Sequence, residues 1–156
     1  MTRLVLVRHA KSDWGEPGID DHDRPLNARG MKDAPVMARR LAALGFRAEA
    51  ILSSTALRAV TTADYFSGAL DVPVEQQKRL YGAPAKTLLR AAAERDARSV
   101  VVVAHHPGIA VLASELSGGA IGHMPTCAVA LFEWEADSWD VATAVDPDRW
   151  ELQTPR

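Results

Sequence analysis

One cysteine, Cys127, excludes an internal disulfide and fits a reducing compartment. Charge of one sign is also scarce. The net charge of −2 leaves the whole-molecule field too weak to draw nucleic acid or an acidic membrane, so neither is expected as a partner. Long apolar runs are missing. Before Arg8 the apolar stretch is only Leu4-Val5-Leu6-Val7, too short for the apolar region of a signal peptide. Nothing approaches the roughly 20 apolar residues of a membrane-spanning helix. No glycine-rich loop of the kind that cradles nucleotide phosphates is present, which excludes a nucleotide triphosphatase of that type. There is no internal repeat, low-complexity tract or interdomain linker. A content of 47% hydrophobic residues in 156 is enough for a real core at this length. The expectation is one cytoplasmic domain over residues 1–156.

Three short apolar runs read as strands buried on both faces: Leu4-Val5-Leu6-Val7, Ala50-Ile51-Leu52-Ser53 and Val100-Val101-Val102-Val103. The valine run is the strongest, because β-branched side chains disfavour helix and suit a central strand. Helical spacing lies between the runs. Ala34, Met37, Ala38, Leu41 and Ala42 share one face, with Gly45 as a stop and Pro35 placed in the first turn, so this helix is expected to start near Asp33. Further helices are expected over 56–66, 87–93 and 108–116. Residues 128–134 and 139–144 flank the turn-like Glu135-Ala136-Asp137-Ser138 and read as a C-terminal hairpin. Residues 14–23, with Gly15, Pro17 and Gly18, read as a surface loop. Strands alternating with helices imply an α/β fold with a mostly parallel central sheet and helices on both faces.

In such sheets ligands bind beyond the carboxyl ends of the strands. The first run ends in Arg8-His9. The second leads through Ser53-Ser54-Thr55 to Arg58, and the valine run ends in Ala104-His105-His106. Cationic or potentially cationic side chains thus gather at one sheet edge of a slightly acidic chain. A phosphoryl group is the simplest partner for such a cluster, since arginine offers planar paired donors and helix amino ends offer free N–H groups.

Four segments then resemble the histidine phosphatase superfamily, the RHG proteins, in order and spacing. They are Arg8-His9-Ala10-Lys11-Ser12, Asp23-Arg24-Pro25-Leu26 with Gly30, Ser53-Ser54-Thr55-Ala56-Leu57-Arg58 with Thr62, and Ala104-His105-His106-Pro107-Gly108. Ala10 and Ala104 stand where the family usually has glycine. The resemblance is to the small branch related to the phosphohistidine phosphatase SixA, and runs from Leu4 to about Trp139. It implies a phosphoglycerate mutase-like form of the fold and a metal-independent hydrolase with no cofactor. By the same resemblance His9 is the nucleophile, forming a covalent phosphohistidine, while Arg8, Arg58 and His105 hold the phosphoryl oxygens. That scheme wants His9 neutral and His105 protonated.

Larger relatives carry a glutamate general acid after the second helix. No carboxylate lies between Lys78 and Arg90 here. A phosphoramidate can release a nitrogen that is already protonated, so the missing acid favours phosphohistidine protein or another activated phosphoryl donor over sugar phosphates, and argues against a phosphoglycerate mutase. The alternatives are a phosphatase of small phosphoesters or nucleotides, and a non-catalytic phosphoprotein-binding module. The latter would have lost its nucleophile, whereas His9 is present.

Around this core, Lys11 and Ser12 are expected to shape the rim. His106 is either a rim contact or simply exposed, and Tyr81 either lines the pocket mouth or is structural. His105 and His106 as neighbours do not suit one ion, and no further ligand lies at metal spacing. Asp21 and Asp23 read as turn residues, with Arg24 able to pair with one of them. An open alternative makes Asp21, Asp23 or His106 the missing acid. His22 and His123 read as surface residues, Trp134, Trp139 and Trp150 as hairpin and tail packing, and Cys127 as a small core residue.

Overall fold

A computed structural model describes residues 1–14 and 17–156. Gly15, counted above in the 14–23 loop, lies outside the described residues. Strands β1 (Thr2–Arg8), β2 (Ala50–Ser53), β3 (Val74–Gln76), β4 (Ser99–Ala104), β5 (Val129–Trp134) and β6 (Arg149–Gln153) form one sheet in the order β3-β2-β4-β1-β5-β6. The pairs β2–β3, β2–β4 and β1–β4 are parallel, while β5 runs antiparallel to both β1 and β6. Helices α1 (Ala28–Ala43), α2 (Leu57–Leu70), α3 (Ala85–Arg95), α4 (Gly108–Leu116) and the single turn α5 (Trp139–Ala142) cover it.

The continuous apolar strands follow from this two-sided cover. Leu4, Leu6, Val100 and Val102 face the layer of α3, α4 and α5, packing with Leu88, Ile109 and Trp139. Val5, Val7, Val101 and Val103 face the layer of α1 and α2, packing with Met37, Leu41 and Phe66. Each such side chain, fully withdrawn from water, contributes about 1.5–3 kcal/mol of transfer free energy. Because α1 follows β1 onto one face and α4 follows the adjacent β4 onto the other, a crevice opens between the ends of these two strands.

Four elements differ in their bounds from expectation. Helix α1 begins at Ala28 rather than near Asp33, because the Asn27 side chain caps it by accepting from the Gly30 N–H at 2.9 Å. Pro35 therefore sits in the second turn and removes one bond of the helix there. The second arm of the C-terminal hairpin is not 139–144. Ser138 caps a helical turn there, its hydroxyl accepting from the Val141 N–H, and the strand that returns to β5 is β6. Trp139 instead donates its indole N–H to the Ala97 carbonyl at 2.6 Å and packs against Trp134. Helix α2 starts at Leu57 and runs past 66 to Leu70, and α3 extends beyond 87–93 at both ends, whereas 108–116 is reproduced by α4. Among the described residues no helix is long and apolar enough to cross a membrane.

Candidate active site

The carboxyl ends of β1, β4 and β2 line up in register, Arg8 beside Ala104 and Ser53 beside Val103. The chain leaves β1 still bound to its neighbours, with the His9 N–H on the Ala104 carbonyl and the Cys127 N–H shared between the Arg8 and His9 carbonyls. The Ala10 N–H is held by the Thr62 hydroxyl, which in turn donates to the Arg58 carbonyl. Lys11 accepts from the Asn27 N–H, and the amino end of α1 lies so close that a Cβ on Gly30 would stand 2.1 Å from the Lys11 carbonyl oxygen. Residue 30 has to be glycine for the segment after His9 to be pinned in this way.

A cavity of about 230 Å³ at this edge is lined by Arg8, His9, Lys11, Ser12, Arg58, His105 and His106, with Trp14, Arg24 and Thr126 completing it. The structure therefore brings together every candidate from the sequence except Tyr81. Tyr81 stands behind, its ring edge-on to His105 with centroids 5.5 Å apart and to His22 at 4.9 Å.

His9 Nδ1 lies 2.7 Å from the Ala10 carbonyl oxygen. A carbonyl only accepts, so this nitrogen carries the proton and Nε2 keeps its lone pair. Burial, and then the neighbouring His105, Arg58 and Arg8, hold the His9 pKa down to about 3 against the opposing bond to the Ala10 carbonyl. The imidazole is neutral across physiological pH, the state a nitrogen nucleophile needs. His105 Nε2 lies 2.7 Å from the Ser54 hydroxyl, which also accepts from the Ala56 N–H. If that hydroxyl donates its proton to Nε2, the imidazole carries its own on Nδ1. Burial and the Arg58 charge lower the His105 pKa to about 4, so this ring is neutral, not protonated as the resemblance had implied. A neutral ring of this tautomer still supplies one donor.

Among the described residues three buried side-chain atoms have no partner: Arg8 Nε, Arg58 Nε and His105 Nδ1. Buried unpaired donors cost roughly 1–3 kcal/mol each, and native proteins leave few of them outside functional sites. The rest of each arginine is fixed. Arg8 donates to the Met124 carbonyl at 2.9 Å, and Arg58 donates to both the carbonyl and the carboxylate of Asp21, at 2.6 and 2.9 Å.

Asp21 is the residue the sequence underrated. Its carboxylate takes Arg58, the Tyr81 hydroxyl at 2.5 Å and Arg24 Nε at 3.1 Å. The Tyr81 bond above all, then Arg58 and Arg24, pull its pKa down to about 2. A carboxylate so held is a poor proton donor, and its place is that of a positioning residue. The Asp23 carboxylate lies 3.7 Å from His22 Nδ1 and is not among the residues lining the cavity; His106 is. His22 is more than a surface residue, since Nε2 lies 2.7 Å from the Thr55 hydroxyl. Cys127 is buried, and burial pushes its thiol up to about 12, consistent with a core residue. Among the described residues no cluster of three or more His, Cys, Asp or Glu side chains is placed to hold a metal ion.

Two expected outcomes follow from this geometry. Asp21→Asn should weaken the hold on Arg58 and lower kcat/KM roughly tenfold, within the usual range for loss of a charged hydrogen bond. Its dependence on leaving-group pKa should stay that of the unmodified protein; a steeper dependence in the variant would make Asp21 an acid after all. The second outcome concerns pH. The unfolded chain protonates His9 and His105 near 6.5, while the folded chain does so only near 3 and 4. Stability should fall as pH drops below about 6.5, by up to about 1.4 kcal/mol per unit for each imidazole, until the folded values are reached. Urea midpoints between pH 7.5 and 4.5 should be less pH-dependent in a His9→Gln, His105→Gln double variant. Equal pH dependence in both proteins would contradict the assignment.

Residues 4–82 match the histidine phosphatase superfamily (branch 1). The chain is 32% identical over 165 residues to an uncharacterised chloroplastic protein of Arabidopsis thaliana, covering 97% of this chain and 75% of that one. It is 35% identical over 117 residues to an uncharacterised protein of Mycobacterium tuberculosis, covering 72% of each. Among solved structures it resembles one assigned as the phosphohistidine phosphatase SixA of Agrobacterium tumefaciens, with TM-score 0.78 and 29% identity over 98% of this chain and 96% of that one. A protein histidine phosphatase SixA complexed with tungstate shares the fold, with TM-score 0.80 and 22% identity over 99% and 97% of the two chains.

Proposed function

Since the chain belongs to the histidine phosphatase superfamily, we propose that it hydrolyses phosphohistidine in proteins, or another activated phosphoryl donor, through a covalent phosphohistidine on His9. The observation that carries this reading is the tautomer of His9. Its Nδ1 proton is committed to the Ala10 carbonyl, and its unprotonated Nε2 belongs to a ring that lines the cavity with Arg8, Arg58 and His105. In the first step Nε2 attacks phosphorus in line and the bond to the leaving group breaks, its electron pair going with the leaving atom. Arg8 Nε, Arg58 Nε and His105 Nδ1 are the donors available to the equatorial oxygens as charge develops there. In the second step water attacks the phosphohistidine, phosphate departs and the His9 lone pair is restored.

The choice of donor rests on the missing acid. Among the described residues no carboxylate lines the phosphoryl cavity; Asp21, ionised and tied to Arg58, and Asp13 line a neighbouring one. An alkoxide therefore has to leave without a carboxylic acid to protonate it, whereas a protonated nitrogen or an aryl oxide does not need one. A plot of log kcat/KM against leaving-group pKa, for alkyl phosphates, aryl phosphates and phosphoramidates, should fall steeply. Equal rates for alkyl and aryl phosphates, with chemistry rate-limiting, would favour a small-phosphoester phosphatase with an acid of its own.

A further inference from the structure

Ser54 is fully buried, and the backbone fixes its place. Its N–H carries the β2–β4 pairing one step further, to the Val103 carbonyl, and its carbonyl accepts from the Ser53 hydroxyl. Among the described residues Ser54 Oγ has two partners, the Ala56 N–H at 3.2 Å and His105 Nε2 at 2.7 Å. A backbone N–H only donates, so one lone pair of the hydroxyl is spent on Ala56. The hydroxyl proton is left with His105 Nε2 as its acceptor.

The two tautomers of a neutral His105 are therefore unequal. With the ring proton on Nδ1, Nε2 accepts from Ser54 and the hydroxyl is satisfied. The proton then sits on the buried, unpartnered nitrogen of a ring that lines the phosphoryl cavity. With the ring proton on Nε2, Ser54 Oγ would accept twice and its own proton would be buried without an acceptor. Nδ1 would then turn a lone pair, not a proton, toward phosphoryl oxygens. Folded proteins seldom leave a buried hydroxyl unsatisfied.

We propose that Ser54 is a positioning residue: by donating to His105 Nε2 it locks the neutral ring with its proton on Nδ1, and so makes His105 an uncharged donor to the phosphoryl group. The kinetic part of this rests on the hydrolytic reading of His9 given above. The surroundings of the ring explain why its tautomer has to be chosen. His9 and Tyr81 stand against it, with ring centroids 5.2 and 5.5 Å away, and Arg58, Asp21, His22 and Arg24 act on it through their charges. Asp21 is the one anion among them, and its carboxylate is bound to Arg58, Tyr81 and Arg24. Burial and the Arg58 charge keep the ring neutral. An imidazolium would carry a proton on both nitrogens whatever its neighbours; a neutral imidazole depends on the bond made by its other nitrogen.

Nitrogen-15 NMR of the unmodified protein at pH 7.5 reads the tautomer directly, the His105 signals being those lost in His105→Gln. The expected result is a protonated Nδ1 and a bare Nε2. A protonated Nε2, or protons on both nitrogens, would overturn the proposal whatever the protein hydrolyses. Ser54→Ala should show a mixture of tautomers and lower kcat/KM for p-nitrophenyl phosphate roughly tenfold, the range for one hydrogen bond to a buried group. From pH 8 to pH 5 that deficit, taken as a ratio so that titration of the substrate cancels, should shrink to less than about half. Acid places a proton on Nδ1 of the variant's ring whichever tautomer it held. Ser54→Thr keeps the hydroxyl and should keep both the tautomer and the pH profile, even where its added methyl lowers Tm. No deficit in Ser54→Ala would overturn the proposal. So would the same deficit at every pH, which would mean that Ser54 acts only through Ala56 and the start of α2. The expected tautomer in a protein that hydrolyses neither aryl phosphates nor phosphoramidates would overturn the hydrolytic reading, and the kinetic role of Ser54 with it.

Discussion

His9→Ala is expected to lower kcat/KM on the order of 10⁴-fold or more on any phosphoryl donor the protein hydrolyses. The substitution removes the attacking nitrogen and with it the covalent route. Arg8, Arg58 and His105 do not depend on the His9 ring for their fixed contacts: Arg8 is held by the Met124 carbonyl, Arg58 by Asp21 and His105 by Ser54. The variant should therefore still bind an oxyanion, and the residual rate should be that of clamped substrate attacked by water. Unfolding is the competing explanation for a loss, and oxyanion binding by the variant separates the two. Near-normal turnover by His9→Ala would end the covalent account.

Arg58→Ala should lower kcat/KM by roughly a hundredfold or more, since one positioned donor to a developing oxyanion is worth about 3–4 kcal/mol. The effect should exceed that of Asp21→Asn, which loosens the guanidinium but leaves it in the cavity. Arg58→Lys should recover little. Two guanidinium nitrogens are spent on Asp21 while Nε remains unpartnered, and an ammonium at the end of a flexible stem cannot be both anchored and aimed in that way. Loss of Arg58 also leaves the Asp21 carboxylate with Tyr81 and Arg24 alone, so part of the cost should appear as reduced stability. A kinetically silent Arg58→Ala, in a folded protein, would remove Arg58 from the site.

How legible the fold was depended on burial. Strands β1, β2 and β4 stand out in the sequence because both faces are covered, which makes their central residues a continuous apolar run. Strand β3 is a half-buried three-residue edge reading Val-Glu-Gln, too short to show a period, and β6 is an edge reading Arg-Trp-Glu-Leu-Gln, a polar–apolar alternation of only five residues with two apolar side chains. Residues 139–144 mislead because Trp139 and Val141 have β propensity, while the local Ser138 cap and the pull of Trp139 onto Ala97 decide for a helical turn. The start of α1 was misplaced because proline was given the first turn, when Asn27 five residues before Lys32 was the stronger boundary signal.

The site was legible where strand ends deliver it. Arg8, His9 and His105 follow from adjacent strands, and Arg58 from the first turn of α2. What stayed hidden comes from loops and from bonds between side chain and backbone, which leave no periodicity: Asp21 under Arg58, Ser54 under His105, Thr62 under Ala10, and the Trp14–Arg24 stack. One signal for Asp21 was present. An acidic side chain stands three residues before Arg24 in a region that must face a cationic pocket, and it needs a cation to pair with.

The central claim is that phosphorus becomes bonded to His9, and rapid quenching during turnover tests it most directly. With a substrate labelled on phosphorus, the unmodified protein quenched into base should retain label on the chain, and acid should release it, because a phosphoramidate survives base and hydrolyses in acid. Peptide mapping should place that label on His9, and His9→Ala should retain none. Label that survives acid, label on another residue, or rapid turnover with no retained label at any quench time in the burst would contradict the account.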